Sequence, residues 1–242
     1  MTENGYDAQE LMTINAAREL RDGLVCLVGV GPPNAAANLA RRTHAPNTVL
    51  VYESGAIGAK PRRLPLSIGD DDLAETADEL VSVPEMFNLW IGGGRIDVGF
   101  LGAAQIDSHA NLNTTAIGDY EDPKVRLPGA GGAPEIAASA KEVIVIVRHS
   151  KRTFVEQLDF VTSLAHREGH TVVITDLGVL EPDPDTCELT LVRRHPGVEV
   201  DALKQATGWP LRVADDLDTT EPPTASELAV LRELEAASRE EA

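Results

Sequence analysis

The stretch VLVYESGAIGAKP, Val49 to Pro61, decides how the chain is read: an apolar, strand-like run ends in one carboxylate, Glu53, and then turns through Gly55 and Gly58. Working outward, LVCLVG (Leu24 to Gly29) reads as a buried strand and PNAAANLARRT (Pro33 to Thr43) as a helix. TVLVY (Thr48 to Tyr52) reads as the next strand. A strand–helix–strand crossover of this length favours parallel strands with helices on their faces. The predicted class is therefore α/β, a mostly parallel sheet flanked by helices, in a single domain spanning residues 1–242.

The pattern continues on both sides. Leu11, Ile14, Ala17 and Leu20 recur at helical spacing between Asp7 and Arg21, and Gly23 closes that segment. Asp72 to Trp90 reads as helical but looser. Strands are predicted at RIDVGFLG (Arg95 to Gly102), EVIVIVR (Glu142 to Arg148), TVVITD (Thr171 to Asp176), ELTLVR (Glu188 to Arg193) and LRVA (Leu211 to Ala214), with a polar turn region up to Tyr120. Asp215 to Pro223 reads as a linker to a terminal helix at about 224–240. Thr224 and Glu227 form a capping box there, and Leu228, Leu231 and Leu234 share one face.

Composition narrows the function classes. The chain has 242 residues, 43% hydrophobic and 25% charged, with a formal charge of -18. That charge argues against nucleic acid or an anionic membrane as partner, because both reward a cationic surface. No stretch approaches the ~20 apolar residues of a membrane span, and the first ten residues are polar and acidic, so a cytoplasmic protein is expected. Cys26 and Cys187 give neither a disulfide framework nor a spaced metal set. No metal site is expected.

Several stretches bear candidate chemistry. VGVGPPNAA (Val28 to Ala36) puts Gly29 and Gly31 between a strand and a helix, as in a dinucleotide loop, but Asn34 stands where that pattern has its third glycine. A tight turn serving another ligand fits better. His166 and His170 have the spacing of zinc ligands on a helix, yet Gly169 lies between them and no apolar face is sustained, so the segment reads as a loop. There is no G-x-S-x-G nucleophile elbow.

Glu53 lies where ligands bind in an open α/β sheet, at the carboxyl end of a strand. Taken alone it reads better as a carboxylate that caps a helix or accepts hydrogen bonds from the next loop. GFLGAAQID (Gly99 to Asp107) ends a strand in small residues, Gly102 among them, and the amide Gln105. LPGAGGAPEIA (Leu127 to Ala137) sets Gly129, Gly131 and Gly132 ahead of a helix with Pro134 near its start. Free backbone N–H groups in such a loop favour an oxyanion, and a carboxylate nucleophile with an anion hole makes an acyl-transfer site.

YESGAIGAKP, GGRIDVGFLGAAQID, NTTAIGDY, PKVRLPGAGGAPEIA and RTFVEQLDFVTS, in that order, resemble the B (beta) subunit of family I CoA-transferases, from about Leu11 to Trp209. The resemblance implies the fold shared by CoA-transferases and sugar-phosphate isomerases, and CoA transfer from succinyl-CoA to a 3-oxo dicarboxylate such as 3-oxoadipate. Glutaconate-type exchange or thioester hydrolysis are the alternatives on the same fold, and a non-catalytic small-molecule-binding subunit is the alternative of another class. By the resemblance Glu53 is the nucleophile, in Glu53-Ser54-Gly55, and Gly131 and Gly132 are the backbone oxyanion donors. Gly29, Gly31, Ser54, Gly55, Lys60, Gly102, Gln105 and Gly129 are candidate contacts to CoA and substrate. CoA is substrate and transient adduct, with no other cofactor, and the implied partner is an A subunit in an A2B2 assembly.

The chain departs from the family twice. Ser54 stands where some branches carry asparagine, and between Ser163 and Thr171 only LAHREGH is present in place of a longer Gly-rich loop. Lys60, Arg62 and Arg63 after the glutamate turn, with Lys124 and Arg126 before the glycine loop, are candidate partners of CoA phosphates or a substrate carboxylate.

Overall fold

The computed structural model describes residues 5–165 and 169–240. His166 lies outside them. The described chain divides into two compact units, one holding the residues up to Phe100, Ser139–Lys141 and those from Pro223 onward, the other Leu101–Ala138 and Glu142–Pro222.

In the first unit, α1 (Ala8–Arg18) starts at a capping box: Asp7 Oδ1 accepts from the Glu10 N–H at 2.9 Å, and Glu10 Oε2 accepts from the Asp7 N–H at 2.8 Å. Then follow β1 (Val25–Leu27), α2 (Pro32–Arg42), β2 (Val49–Val51), β3 (Ala56–Ile57), α3 (Asp71–Thr76), β4 (Glu79–Leu80), α4 (Val83–Glu85) and β5 (Val98–Leu101). Strand order is β5-β1-β2-β3-β4. β1 pairs parallel with β2 and β5, as the crossover predicts, while β2–β3–β4 is an antiparallel meander. α2 buries a small-residue face, Ala35, Ala36, Ala37, Leu39 and Ala40, which permits close packing. α1 and the C-terminal helix (Ala225–Glu240) pack on α2.

The C-terminal helix has its predicted start: Thr224 Oγ1 accepts from the Glu227 N–H at 3.2 Å, and Glu227 Oε2 accepts from the Thr224 N–H at 2.8 Å. Glu227 also takes a fork of two 2.7 Å hydrogen bonds from Arg18, tying this helix to α1. Leu231 and Leu234 are fully buried.

The second unit begins with two small hairpins, β6 (Gln105–Ile106) with β7 (Leu112–Asn113) and β8 (Ala116–Gly118) with β9 (Pro123–Arg126). α5 (Ala133–Ser139) leads to β10 (Glu142–Ile146), β11 (His170–Ile174), β12 (Gly178–Pro182), β13 (Leu189–Arg194), α6 (Val200–Ala206) and β14 (Arg212–Thr219). Strand order is β14-β13-β12-β11-β10, with parallel pairing at β10–β11 and β13–β14 and antiparallel pairing between. The α/β class predicted from the crossover is observed. Among the described residues no helix is long and apolar enough to cross a membrane.

Several local expectations are corrected. Asp72–Trp90 is not one loose helix: β4 interrupts it, and α4 runs on into a π-helical turn, Met86–Ile91. The polar region before Tyr120 contains the first hairpin and β8, the first strand of the second. Asp215–Thr219 is no linker but the end of β14, an exposed edge strand held by backbone pairing to β13. Its polar side chains give no alternation to read.

Candidate active site

Glu53 stands in a tight turn after β2. The Tyr52 carbonyl accepts from the Gly55 N–H at 2.9 Å, and the Tyr52 N–H donates to the Ala56 carbonyl at 2.9 Å. Glu53 and Ser54 are thus the two central residues of a β-turn at the tip of the β2–β3 hairpin, and Gly55 closes the loop at φ 106°. Glu53 is half-buried and Ser54 exposed.

Gly55 is required twice over. Its φ suits glycine, and a Cβ there would overlap the Val81 carbonyl oxygen and come within 3.1 Å of that carbonyl's carbon. The space is used by β4, whose following residue donates from Val81 N–H to the Gly55 carbonyl at 3.0 Å. Gly58, at φ 66°, likewise leaves room for the Asp78 carboxylate. The second glycine lets the chain fold back under the turn.

Tyr52 anchors the turn from below. Its ring is fully buried, its hydroxyl donates to Asn34 Oδ1 at 3.4 Å, and Asn38 Nδ2 donates to the same oxygen at 2.6 Å. Burial holds the Tyr52 hydroxyl well above its ordinary pKa, so it stays neutral. Asn34 occupies the position where a dinucleotide loop has its third glycine, and it joins the first turn of α2 to the end of β2. Gly31 is the N-cap of α2 at φ 82°. Because Val28 N–H donates to the Val51 carbonyl at 2.9 Å, Gly29 and Glu53 follow neighbouring parallel strands at their carboxyl ends. Gly29, Gly31, Glu53, Ser54 and Gly55 are gathered at one end of this unit.

The cations beyond the turn are committed to carboxylates. Lys60 pairs with Asp78 at 2.5 Å, Arg62 with Asp72 at 2.6 Å and Glu75 at 2.7 Å, and Arg63 with Asp70 at 2.9 Å. Hydrogen bonds from Arg63 and from the Leu66 and Asp72 N–H groups hold the Asp70 carboxyl below its usual range against its burial. An anion bound by these cations would have to displace a carboxylate from each.

In the second unit two of the predicted residues, Gln105 and Gly129, are fixed by hydrogen bonds. Gly102 is exposed just after β5. Gln105 is buried and its amide is used at both ends: Nε2 donates to Asp159 at 2.9 Å, and Oε1 accepts from Asn113 at 2.7 Å and from the Asp159 N–H at 3.1 Å. It braces the β6–β7 hairpin. Gly129 is clamped by Thr114, whose carbonyl accepts from the Gly129 N–H at 2.9 Å and whose hydroxyl donates to the Gly129 carbonyl at 2.8 Å. Thr162 Oγ1 in turn accepts from the Thr114 N–H at 2.9 Å. The next glycines differ, because no described residue accepts from the Gly131 or Gly132 N–H. Those two donors are available to an oxyanion, while Gly129 sets the loop.

Comparison with known proteins adds the decisive observation: the family model for coenzyme A transferase matches residues 10–206. The chain belongs to the coenzyme A transferase family. It is 54% identical to the B subunit of 3-oxoadipate CoA-transferase from Pseudomonas knackmussii, over 96% of this chain and 95% of that one. Its fold matches the crystal structure of glutaconate coenzyme A-transferase from Acidaminococcus fermentans with a TM-score of 0.88 at 29% identity, covering 95% of each chain. The decarboxylase AibA/AibB matches with a TM-score of 0.86 at 27% identity, covering 96% of this chain and 95% of that one. The CoA-transferase fold expected from the motifs is the fold observed, and CoA transfer is the reaction class of the family.

Each of the two clusters, taken by itself, shows what the motifs alone did not. Tyr52, Asn34 and Asn38 beneath the turn, and Thr114, Thr162, Asn113 and Asp159 around the glycine loop, hold the candidate residues by name and atom. The sequence carried one signal for them, polar residues inside otherwise apolar segments, as at Tyr52 after VLV and Asn34 and Asn38 among alanines. Buried polar groups need partners, so such residues mark where elements are joined.

Proposed function

We propose that this chain is the B subunit of an enzyme that moves CoA from succinyl-CoA to a short 3-oxo dicarboxylate, 3-oxoadipate being the first choice, with Glu53 as nucleophile. The observation that carries the reading is the placement of Glu53 on a turn closed by backbone hydrogen bonds, at the carboxyl end of β2. A carboxylate is the right nucleophile for exchange without hydrolysis, because the anhydride it forms returns readily to a thioester. The 54% identical relative supports the choice of acids.

In the first step a Glu53 carboxylate oxygen attacks the thioester carbonyl, and the C–S bond breaks to release the CoA thiolate. The thiolate then attacks the Glu53 acyl carbon of the mixed anhydride, freeing succinate and leaving a glutamyl-CoA thioester. The acceptor carboxylate repeats the two steps in reverse order and leaves with CoA, which restores Glu53. The N–H groups of Gly131 and Gly132 are the donors for the oxyanion of each tetrahedral intermediate. Gly29, Gly31, Ser54, Gly55, Gly102 and Gly129 shape the pocket, and Gln105 braces it. Lys60 contributes once Asp78 gives way. The B role implies a partner A subunit; two of each chain, in the cytoplasm, is the assembly proposed.

The test is to purify this chain with its A subunit, add succinyl-CoA without acceptor, trap with borohydride or hydroxylamine, and map the modified peptide by mass spectrometry. Modification at Glu53, lost in Glu53→Ala with assembly intact, is the expected result. A folded complex that accumulates free CoA without an adduct would refute the transferase route and point to a hydrolase.

A further inference from the structure

The chain has a formal charge of -18, yet its proposed substrate carries several phosphate charges. The cations that follow the glutamate turn in sequence, Lys60, Arg62 and Arg63, are held by Asp78, Asp72, Glu75 and Asp70. The segment RHSKRTF, residues 148–154, is different. It leaves the carboxyl end of β10, the end at which open α/β sheets bind ligands, and it presents Arg148, Lys151 and Arg152 to solvent. Arg148 lies 3.8 Å from Asp176. No carboxylate among the described residues pairs with Lys151 or Arg152.

This loop is rigid by construction. His149 is buried, its ring stacked on Phe154 at 3.9 Å and its two nitrogens bonded to Thr175 at 3.3 Å and Thr207 at 2.9 Å. The Phe154 N–H donates to the Ser150 carbonyl at 2.7 Å, and the Thr153 N–H to the same oxygen at 2.9 Å, so Lys151 and Arg152 form the tip of a closed turn. The turn is joined to the framework of the glycine loop. Ile106 N–H donates to the Thr153 carbonyl at 2.7 Å and Val155 N–H to the Ile106 carbonyl at 3.0 Å, on the same β6–β7 hairpin that Gln105 braces. Two unpaired cations on a preorganised turn suit a phosphorylated ligand, since little ordering entropy remains to be lost on binding.

We propose that the turn after β10 holds the phosphorylated end of CoA, with Lys151 and Arg152 as its contacts; the identity of the ligand rests on the CoA-transferase reading above.

The test uses the complex with the A subunit and the double variant Lys151→Gln/Arg152→Gln, with CoA and pantetheine as probes in calorimetry at low ionic strength. CoA affinity is expected to fall at least about tenfold, with pantetheine, which lacks the phosphates, holding its affinity. Added salt should weaken CoA binding to the unaltered complex more steeply than to the variant. Each single variant should show part of the loss. An unchanged CoA affinity in the folded double variant, or an equal loss for pantetheine, overturns the assignment. Calorimetry needs no reaction at Glu53, so a failed trap with a phosphate-dependent loss here would remove the nucleophile and leave this site standing. A complex that binds no CoA would remove both.

Discussion

Replacing Gly55 with alanine tests the account of the turn most directly. The new Cβ would overlap the Val81 carbonyl oxygen, and φ 106° is a conformation L side chains rarely adopt. Backbone strain at such a position costs about 1–3 kcal/mol. Moving β4 aside would also forfeit the 3.0 Å hydrogen bond from Val81 N–H to the Gly55 carbonyl, worth about 1 kcal/mol. A loss of about 3 kcal/mol lowers the thermal midpoint of a domain this size by about 6–12 °C. Relief of the overlap displaces the turn by about 1 Å, and a misplacement of that size slows chemistry about 100-fold. The assay is thermal unfolding of the complex together with the single-turnover rate of adduct formation from succinyl-CoA. Gly69→Ala, whose Cβ meets only Ser67 Oγ at 3.8 Å, is the control. A Gly55→Ala complex with the thermal midpoint and adduct rate of the unaltered protein would refute the claim that β4 braces the turn.

Two further outcomes are expected. Thr114→Val removes the hydroxyl that clamps the Gly129 carbonyl, so stability should fall by about 1 kcal/mol and the single-turnover rate with it, while KM for succinyl-CoA holds; an unchanged rate would show that this clamp does not set the glycine loop. His149 is buried, and desolvation lowers its pKa to about 4 from the ordinary 6.5, so the unfolded chain takes up a proton that the folded chain refuses. Stability is therefore complete above about pH 6.5 and drains away as pH falls towards 4, by on the order of 3 kcal/mol for this residue at 1.36 kcal/mol per pH unit. His195, also lowered by burial, adds in the same direction. Carboxylates held low by their partners, such as Glu227 at about 2, lose their contribution only as pH falls below their unfolded value, so urea unfolding between pH 6.5 and 5 isolates the histidines. A His149→Gln variant with the same pH slope as the unaltered protein would refute the assignment.

What could be read from the sequence follows from how each element announces itself. β1, α2 and β2 are continuous in apolar or small residues, and the glycines after Glu53 mark the turn; the capping box of Thr224 and Glu227 names the start of the last helix. β6, β7, β8 and β9 are two to four residues long and held by side chains such as Asn113 and Asp159, too short for any period to show. β12 and α6 escaped for a similar reason, each a brief segment bounded by prolines or charges. Around the turn, the position of Glu53 was legible because the strand before it and the glycines after it are its neighbours in sequence. The fate of Lys60, Arg62 and Arg63 was not, since it depends on acids brought back by the fold of α3 and its flanks, Asp70, Asp72, Glu75 and Asp78.

The hydrogen bonds that close the β2–β3 turn run between main-chain atoms of Tyr52, Gly55 and Ala56, and the brace behind it is the main chain of Val81. Position 53 is consequently a socket: the backbone specifies where a side chain will stand without specifying which side chain it is. Exchanging the side chain at this one position therefore leaves every hydrogen bond of the turn in place, so what stands at the tip is separable from what folds it.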